Sequence, residues 1–173
     1  MSSELFDIVD ENDKVIGQAP RTECHGNPDL VHRVAHVMVF NRQGELLLQK
    51  RSVDKDIQPG KWDTSVGGHL DPGEDYLQAA IREMNEELGL TDIPLTFLYK
   101  SQIRNDIESE NVSTYLAAID EEVFFDPHEI SEVKFWSRRE IDAQLGRGTF
   151  TPNFEQEWQM YLDWKRCHAA GTS

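Results

Sequence analysis

Residues 67–90 read GGHLDPGEDYLQAAIREMNEELGL, a glycine-rich turn followed by one amphipathic helix. Pro72-Gly73 interrupts regular structure. Asp75 stands where an acid suits the positive end of a helix dipole, and Gly89 stands where a left-handed residue ends a helix. Between them Leu77, Ala80, Ile81, Met84 and Leu88 recur at three- and four-residue spacing and predict one buried stripe. Glu83, Glu86 and Glu87 share a second face by the same geometry, beside the core and not opposite it. Like charges one turn apart cost about 0.2–0.5 kcal/mol per pair. The plain alternative is a solvated acidic face. Next to a glycine-rich loop, the three acids predict a site for a hard divalent cation, because carboxylate oxygens suit magnesium or manganese.

Upstream, LFDIV and KVIGQ flank the turn-prone ENDK and predict a hairpin. HRVAHVMVF and ELLLQKR are β-rich runs separated by NRQG and predict a second one. The loop-rich segment that follows holds a short strand around TSV. Downstream, LTFLYKSQI, VSTYLAAI and EVKFWS read as strands, REIDAQLG as a short helix and FEQEWQMYLDWKRCHA as a longer one. Phe154, Trp158, Tyr161 and Trp164 fall near helical spacing and are assigned to core packing. Strands, a central helix, further strands and terminal helices predict a mixed α/β layered fold.

At 173 residues the chain suits one domain, 1–173, with residues 1–30 as a hairpin extension. The formal charge of −15 argues against a nucleic-acid polymer as partner, since phosphate backbones need clustered Lys and Arg. It still permits a small phosphate compound bridged by a metal cation. Cys24 and Cys167 form no metal-binding or redox motif and read as free thiols. No signal peptide is expected at the N-terminus, and no apolar run reaches the roughly 20 residues of a membrane span, so cytoplasm is the default location. The hairpin extension leaves a homodimer open, with cover for a sheet edge as the other role.

The spacing within residues 67–90 carries a family signature. Gly68 is followed by five residues and Glu74, then by seven residues and Arg82-Glu83, Met84, Asn85, Glu86-Glu87, Leu88, Gly89 and Leu90. This resembles the box of the Nudix hydrolases, with every defining position filled. The resemblance implies a mixed sheet between helices (α/β/α), with the box as a loop–helix–loop. It implies that Glu83, Glu86, Glu87 and the backbone carbonyl of Gly68 hold divalent cations, magnesium or manganese. Arg82 and Glu74 would pair and position the helix. The reaction implied is attack of water on a diphosphate linkage, with Glu83 favoured as the base and the number of metal ions left open.

HGNPDLVHRVAHVMVF and LLLQKRSVDKDIQPGKWDTSVGGH further resemble type I isopentenyl-diphosphate isomerase, which uses the same fold. By that resemblance His25, His32 and His69 stand at metal-binding histidines, with ordinary hydrogen-bonded histidines as the alternative. Arg21, Arg51 and Lys55 correspond to residues that grip a substrate diphosphate. Three departures favour hydrolysis. Gly67 stands where the isomerase has a catalytic cysteine. Glu83 and Glu86 restore acids that the isomerase box lacks. Of the later acid pair, Glu108 and Glu110 are present, but alignment on the following alanines sets Asn111 at the second acid's place. The expected activity is therefore a metal-dependent pyrophosphohydrolase acting on a small-molecule diphosphate. An isomerase-like enzyme and a non-catalytic ligand- or partner-binding domain are the alternatives.

Overall fold

The computed structural model describes residues 4–55 and 57–170; the expected domain's positions 1–3, 56 and 171–173 lie outside the described residues. The elements run β1 (Leu5–Val9), β2 (Val15–Pro20), α1 (Arg21–Cys24), β3 (Val31–Phe40), β4 (Leu46–Arg51), β5 (Trp62–Asp63) and β6 (Val66–His69). They continue through α2 (Tyr76–Leu88), β7 (Thr96–Arg104), β8 (Ser109–Ala118), β9 (Ile130–Trp136), α3 (Arg138–Gln144) and α4 (Pro152–Ala170).

β3 organises the molecule. Its sequence, VHRVAHVMVF, is buried on both faces over its C-terminal half, as a strand covered by helices on both sides must be. It pairs with β8 in parallel along its whole length, from Val31↔Ser109 to Phe40↔Ala118. It pairs antiparallel with β6, from Val34↔His69 to Val37↔Val66. The seven-stranded sheet runs β5-β4-β3-β8-β7, with β6 added on β3 and β9 on β4. The hairpin expected between the third and fourth strands is corrected here. The chain does turn at Asn41–Glu45, but β3 and β4 pair only at Phe40↔Leu46 before diverging. β4 then pairs with β9 and β5, leaving β3 to β6 and β8.

Alternate residues of β3 feed two cores. Ala35, Val37 and Val39 meet Ala79, Ala80, Met84 and Leu88 of α2. Met38 and Phe40 meet Phe150, Phe154, Trp158 and Tyr161 at and within α4. The aromatic stripe expected in the last helix is thus core, with Trp164 packed at its margin. Each such side chain removed from water contributes about 1.5–3 kcal/mol.

α2 begins and ends where its sequence dictates. The Asp75 carboxylate accepts from the Gln78 backbone N–H at 2.7 Å, and the Gln78 side chain accepts from the Asp75 N–H at 3.0 Å, a reciprocal cap. Gly89 ends the helix at φ 67°, a conformation glycine adopts without steric cost. The buried face differs from the predicted stripe. Leu77 and Ile81 are 45% and 51% exposed, while Ala79 is fully buried. The inner face therefore runs Tyr76, Ala79, Ala80, Glu83, Met84, Glu87 and Leu88, and two of the three box acids belong to it.

β1 and β2 form the expected hairpin. Its tip is fastened by Asp13, which accepts from the Tyr76 hydroxyl at 2.9 Å and from the Asn111 amide at 2.9 Å. Phe6 of β1 is buried against histidine rings below it.

Candidate functional site

The turn between β6 and α2 brings the helix acids onto glycine backbone. Gly67 N–H donates to Glu87 Oε2 at 3.2 Å, and the Gln49 amide donates to the same oxygen at 3.2 Å. Gly68 is a requirement of space: a Cβ added there would overlap the Glu83 carboxylate. Arg82 organises the acids around it. Its Nε and Nη2 each donate to one Glu74 oxygen at 2.8 Å, a two-point pairing that fixes the guanidinium plane. Its Nη2 also donates to the His69 carbonyl at 3.0 Å, and its Nη1 reaches Glu83 at 2.7 Å and Glu86 at 3.2 Å. Glu83, Glu86, Glu87, Gly68, Arg82 and Glu74 are therefore gathered in one place, with Glu86 the most exposed of the acids.

The electrostatics of this group suit a cation. Burial, the largest influence, pushes the Glu87 carboxyl up to about 8, and the nearby Glu83 charge adds to the rise. Burial also raises Glu83, against the Arg82 hydrogen bond. Two carboxylates held together in a partly dry site fit a divalent ion by charge and by oxygen chemistry.

A second cluster lies on the other face of β6. His25, His32, His69 and Glu110 present ligand atoms that all lie within 4.8 Å of one another. His32 Nε2 and His69 Nε2 are each 3.3 Å from Glu110 Oε1, and His25 Nε2 is 3.4 Å from Glu108 Oε2. The expectation that the acid pair is displaced, with Asn111 in the second place, is therefore overturned. Alternation along β8 turns Glu110 toward the histidines, and Glu108, just before the strand, reaches His25. Asn111 turns the other way, where Arg104 and Asp13 hold its side chain. His25 Nε2 and His32 Nε2 are buried without a well-formed hydrogen bond, which argues against ordinary satisfied histidines. Burial alone would raise the Glu110 carboxyl, but His32 and His69 outweigh it and hold it low. Burial and the Glu110 charge push Glu108 up to about 7. Three imidazoles and a carboxylate suit a borderline transition metal such as zinc. Phe6 stacks over His32 and His69 with ring centres 4.9 and 4.4 Å away, so the hairpin roofs this cluster. His25 follows the hairpin by five residues, whereas His69 and Glu110 come from distant strands, so only the fold assembles the cluster.

The remaining candidates hold other partners. Arg51 Nε donates to the Ile57 carbonyl at 3.0 Å, with Nη1 3.5 Å from Asp63. Lys55 pairs with Glu129 at 2.9 Å, and Arg21 with Glu4 at 3.0 Å on the surface. These contacts occupy only part of the donor capacity of Arg51 and Lys55. Among the described residues no helix is long and apolar enough to cross a membrane.

Comparison with known proteins gives the family and the fold. The family model described as the NUDIX domain matches residues 30–154. An uncharacterised Nudix hydrolase from Pseudomonas aeruginosa is 33% identical over 162 residues, covering 93% of this chain and 95% of that protein. An isopentenyl-diphosphate Delta-isomerase from Pectobacterium atrosepticum is 37% identical over 155 residues, covering 87% of this chain and 84% of that one. A crystal structure from Deinococcus radiodurans superimposes with a TM-score of 0.77 at 28% identity, over 95% of this chain and 99% of that chain. The MutT protein of Methanosarcina mazei, at 21% identity and a TM-score of 0.64 over 85% of this chain and 98% of that chain, shares the fold.

Proposed function

The chain belongs to the Nudix family of hydrolases, and from that premise we propose that it is a divalent-metal-dependent pyrophosphohydrolase that cleaves a diphosphate linkage in a small molecule, a nucleotide or another diphosphate compound. The observation that carries this reading is the seating of Glu83 and Glu87 on the Gly67-Gly68 backbone, half-buried and sharing one site. Glu83, Glu86, Glu87 and the Gly68 carbonyl would hold the ion, magnesium or manganese. When bound, such an ion neutralises phosphate oxygens and acidifies a water molecule.

The chain's own residues supply the rest. Glu83 takes the proton from the attacking water, and burial, which raises its carboxyl, favours proton acceptance. Glu87 stays fixed by Gly67 and Gln49, so the geometry of the acid pair is set before substrate arrives. Arg82, braced by Glu74, holds Glu83 and Glu86 at one end of the helix. Arg51 and Lys55 are the proposed contacts for the diphosphate. The unit that acts is the whole chain, with residues 1–30 contributing Phe6 and His25 to the cluster beside it.

The His25–His32–His69–Glu110 cluster with Glu108 favours a second reading, proton transfer on a prenyl diphosphate. Gly67 weighs against it, because no side chain there can carry a proton. One experiment separates the readings. The magnesium-loaded protein is incubated with nucleoside di- and triphosphates, nucleotide sugars and isopentenyl diphosphate, and products are resolved by chromatography. Release of phosphate or pyrophosphate, or of a nucleoside monophosphate with a sugar phosphate, supports hydrolysis. Interconversion of isopentenyl and dimethylallyl diphosphates would overturn it. Inertness toward every compound would leave a binding domain.

A further inference from the structure

A polar row crosses the sheet where apolar packing is expected. On the face toward α4, Gly67 of β6 lies opposite His36 of β3, His36 lies beside Thr114 of β8, and Thr114 lies opposite Tyr99 of β7. Met38 and Phe40 continue the same face as apolar core. Into this row α4 inserts Glu157, which is 3% exposed. His36 Nδ1–H donates to Glu157 Oε2 at 2.5 Å. Burial, the largest influence, disfavours a charged imidazole, but the Glu157 charge and hydrogen bond outweigh it and push His36 up to about 9. Asp63 and Glu110 act in the same direction. The carboxylate thus favours the protonated imidazole.

Three features make this pair more than a brace between β3 and α4. The first is direction. The His36 ring edge faces Gly67: a Cβ added at Gly67 would lie 3.3 Å from His36 Nε2 and 3.2 Å from Cδ2. Among the described residues nothing hydrogen-bonds Nε2, and the ring keeps a small accessible area. The second is the unmet polar capacity around it. Thr64, whose methyl would lie 3.6 Å from the same Cβ, has its hydroxyl buried without a partner, and so has Glu157 Oε1. Leaving such groups unpaired is costly, a poor design for a purely structural contact. The third is energetic. A buried ion pair is weak evidence for stability, because desolvation offsets the attraction. A cation fixed in a dry site is worth most where negative charge arrives.

We infer that His36 is a further catalytic residue, an imidazolium whose Nε2–H donates to an oxygen of the bound diphosphate at the Gly67 edge of β6, with Glu157 as its positioning residue. The inference rests on the proposed diphosphate chemistry of the same site. Gly67 serves it by leaving room: the space a side chain would take is the approach from Nε2 to the ligand. No bond is made or broken by His36. It matches charge that the acids of the box cannot match.

The test reads binding and not turnover, so it is independent of hydrolysis. The magnesium-loaded protein is titrated with imidodiphosphate, a diphosphate with a non-hydrolysable bridge, by calorimetry and by nitrogen-15 spectra of the histidine rings. In the unaltered protein the His36 Nε2 resonance shifts as imidodiphosphate saturates, and the Glu157-bonded Nδ1 resonance moves less. His36→Gln weakens binding at least tenfold with unchanged circular dichroism. Glu157→Gln gives an intermediate loss and a changed His36 ring spectrum before any ligand is added. Where His36→Gln does not fold, the ring titration of the unaltered protein decides. An unmoved Nε2 resonance at saturation, or undiminished affinity in folded His36→Gln, overturns the inference. Loss of binding in His36→Gln without hydrolysis of any tested compound keeps this inference and removes the hydrolase reading. Hydrolysis with undiminished binding does the reverse.

Discussion

Gly68→Ala is the smallest change that attacks the proposed site, and its cost follows from distances. The added Cβ would lie 2.5 Å from Glu83 Cγ and closer still to the carboxylate, whereas ordinary contact begins at 3.4 Å. Glu83 cannot simply swing aside. Its carboxylate is tied to Arg82 at 2.7 Å, and Arg82 is tied twice to Glu74 at 2.8 Å. Relief therefore takes either a shift of β6 or a displacement of Glu83. Overpacking of this kind costs about 1–3 kcal/mol, and each kcal/mol lowers Tm by about 2–4 °C in a chain of this size. The catalytic cost is larger, since misplacing a reacting group by about 1 Å can cost on the order of 10²-fold. Steady-state hydrolysis in magnesium and a thermal melt measure the two effects. Gly17→Ala is the control, because nothing lies within 4 Å of a Cβ there. A Gly68→Ala protein with unaltered kcat and Tm would refute the seating of Glu83 on Gly68.

Other expectations follow from the same coordinates. Glu83→Gln and Glu87→Gln should each lower kcat by orders of magnitude while circular dichroism stays unchanged, because the carboxylates act on metal and water more than on folding. Met84→Asp should destabilise severely, since Met84 is 2% exposed and a buried unpaired charge is costly, whereas Leu77→Asp and Ile81→Asp should fold normally; a urea titration compares all three. The His36–Glu157 pair makes stability depend on pH. His36 titrates near 6.5 when unfolded and about 9 when folded, so its contribution is complete below pH 6.5 and is lost as pH rises through 9. The Tm gap between the unaltered protein and His36→Gln should accordingly be widest near pH 6 and close by pH 10.

The ends of α2 and its acids were legible because they are local: Asp75 and Gly89 mark the helix ends by chemistry within a few residues, and the structure adds the reciprocal cap through Gln78. The inward face was not. Periodicity counts Leu77 and Ile81 as core and cannot know that the small Ala79 lets β3 approach, nor that Glu83 and Glu87 occupy the inner face. Strand pairing was legible only in part. NRQG signals the turn, and β4 pairs with β3 at Phe40↔Leu46, but the long pairing of β3 is with β8, more than 70 residues on in the sequence, and no local pattern encodes a parallel register. Alignment on the alanines that follow puts Asn111 in the place of Glu110, whereas the alternation of β8 sets which side chains reach the histidines. The His36–Glu157 pair spans 121 residues and carries no motif at all.

The central claim is that water attacks a diphosphate linkage at the carboxylates of α2. The most direct measurement is phosphorus-31 NMR of the reaction in oxygen-18 water, run in magnesium, in excess chelator, and with Glu83→Gln. The account predicts one oxygen-18 atom in one phosphoryl product in magnesium, none in chelator and almost none with Glu83→Gln. Label incorporation at full rate in chelator, or undiminished incorporation with Glu83→Gln, would contradict it.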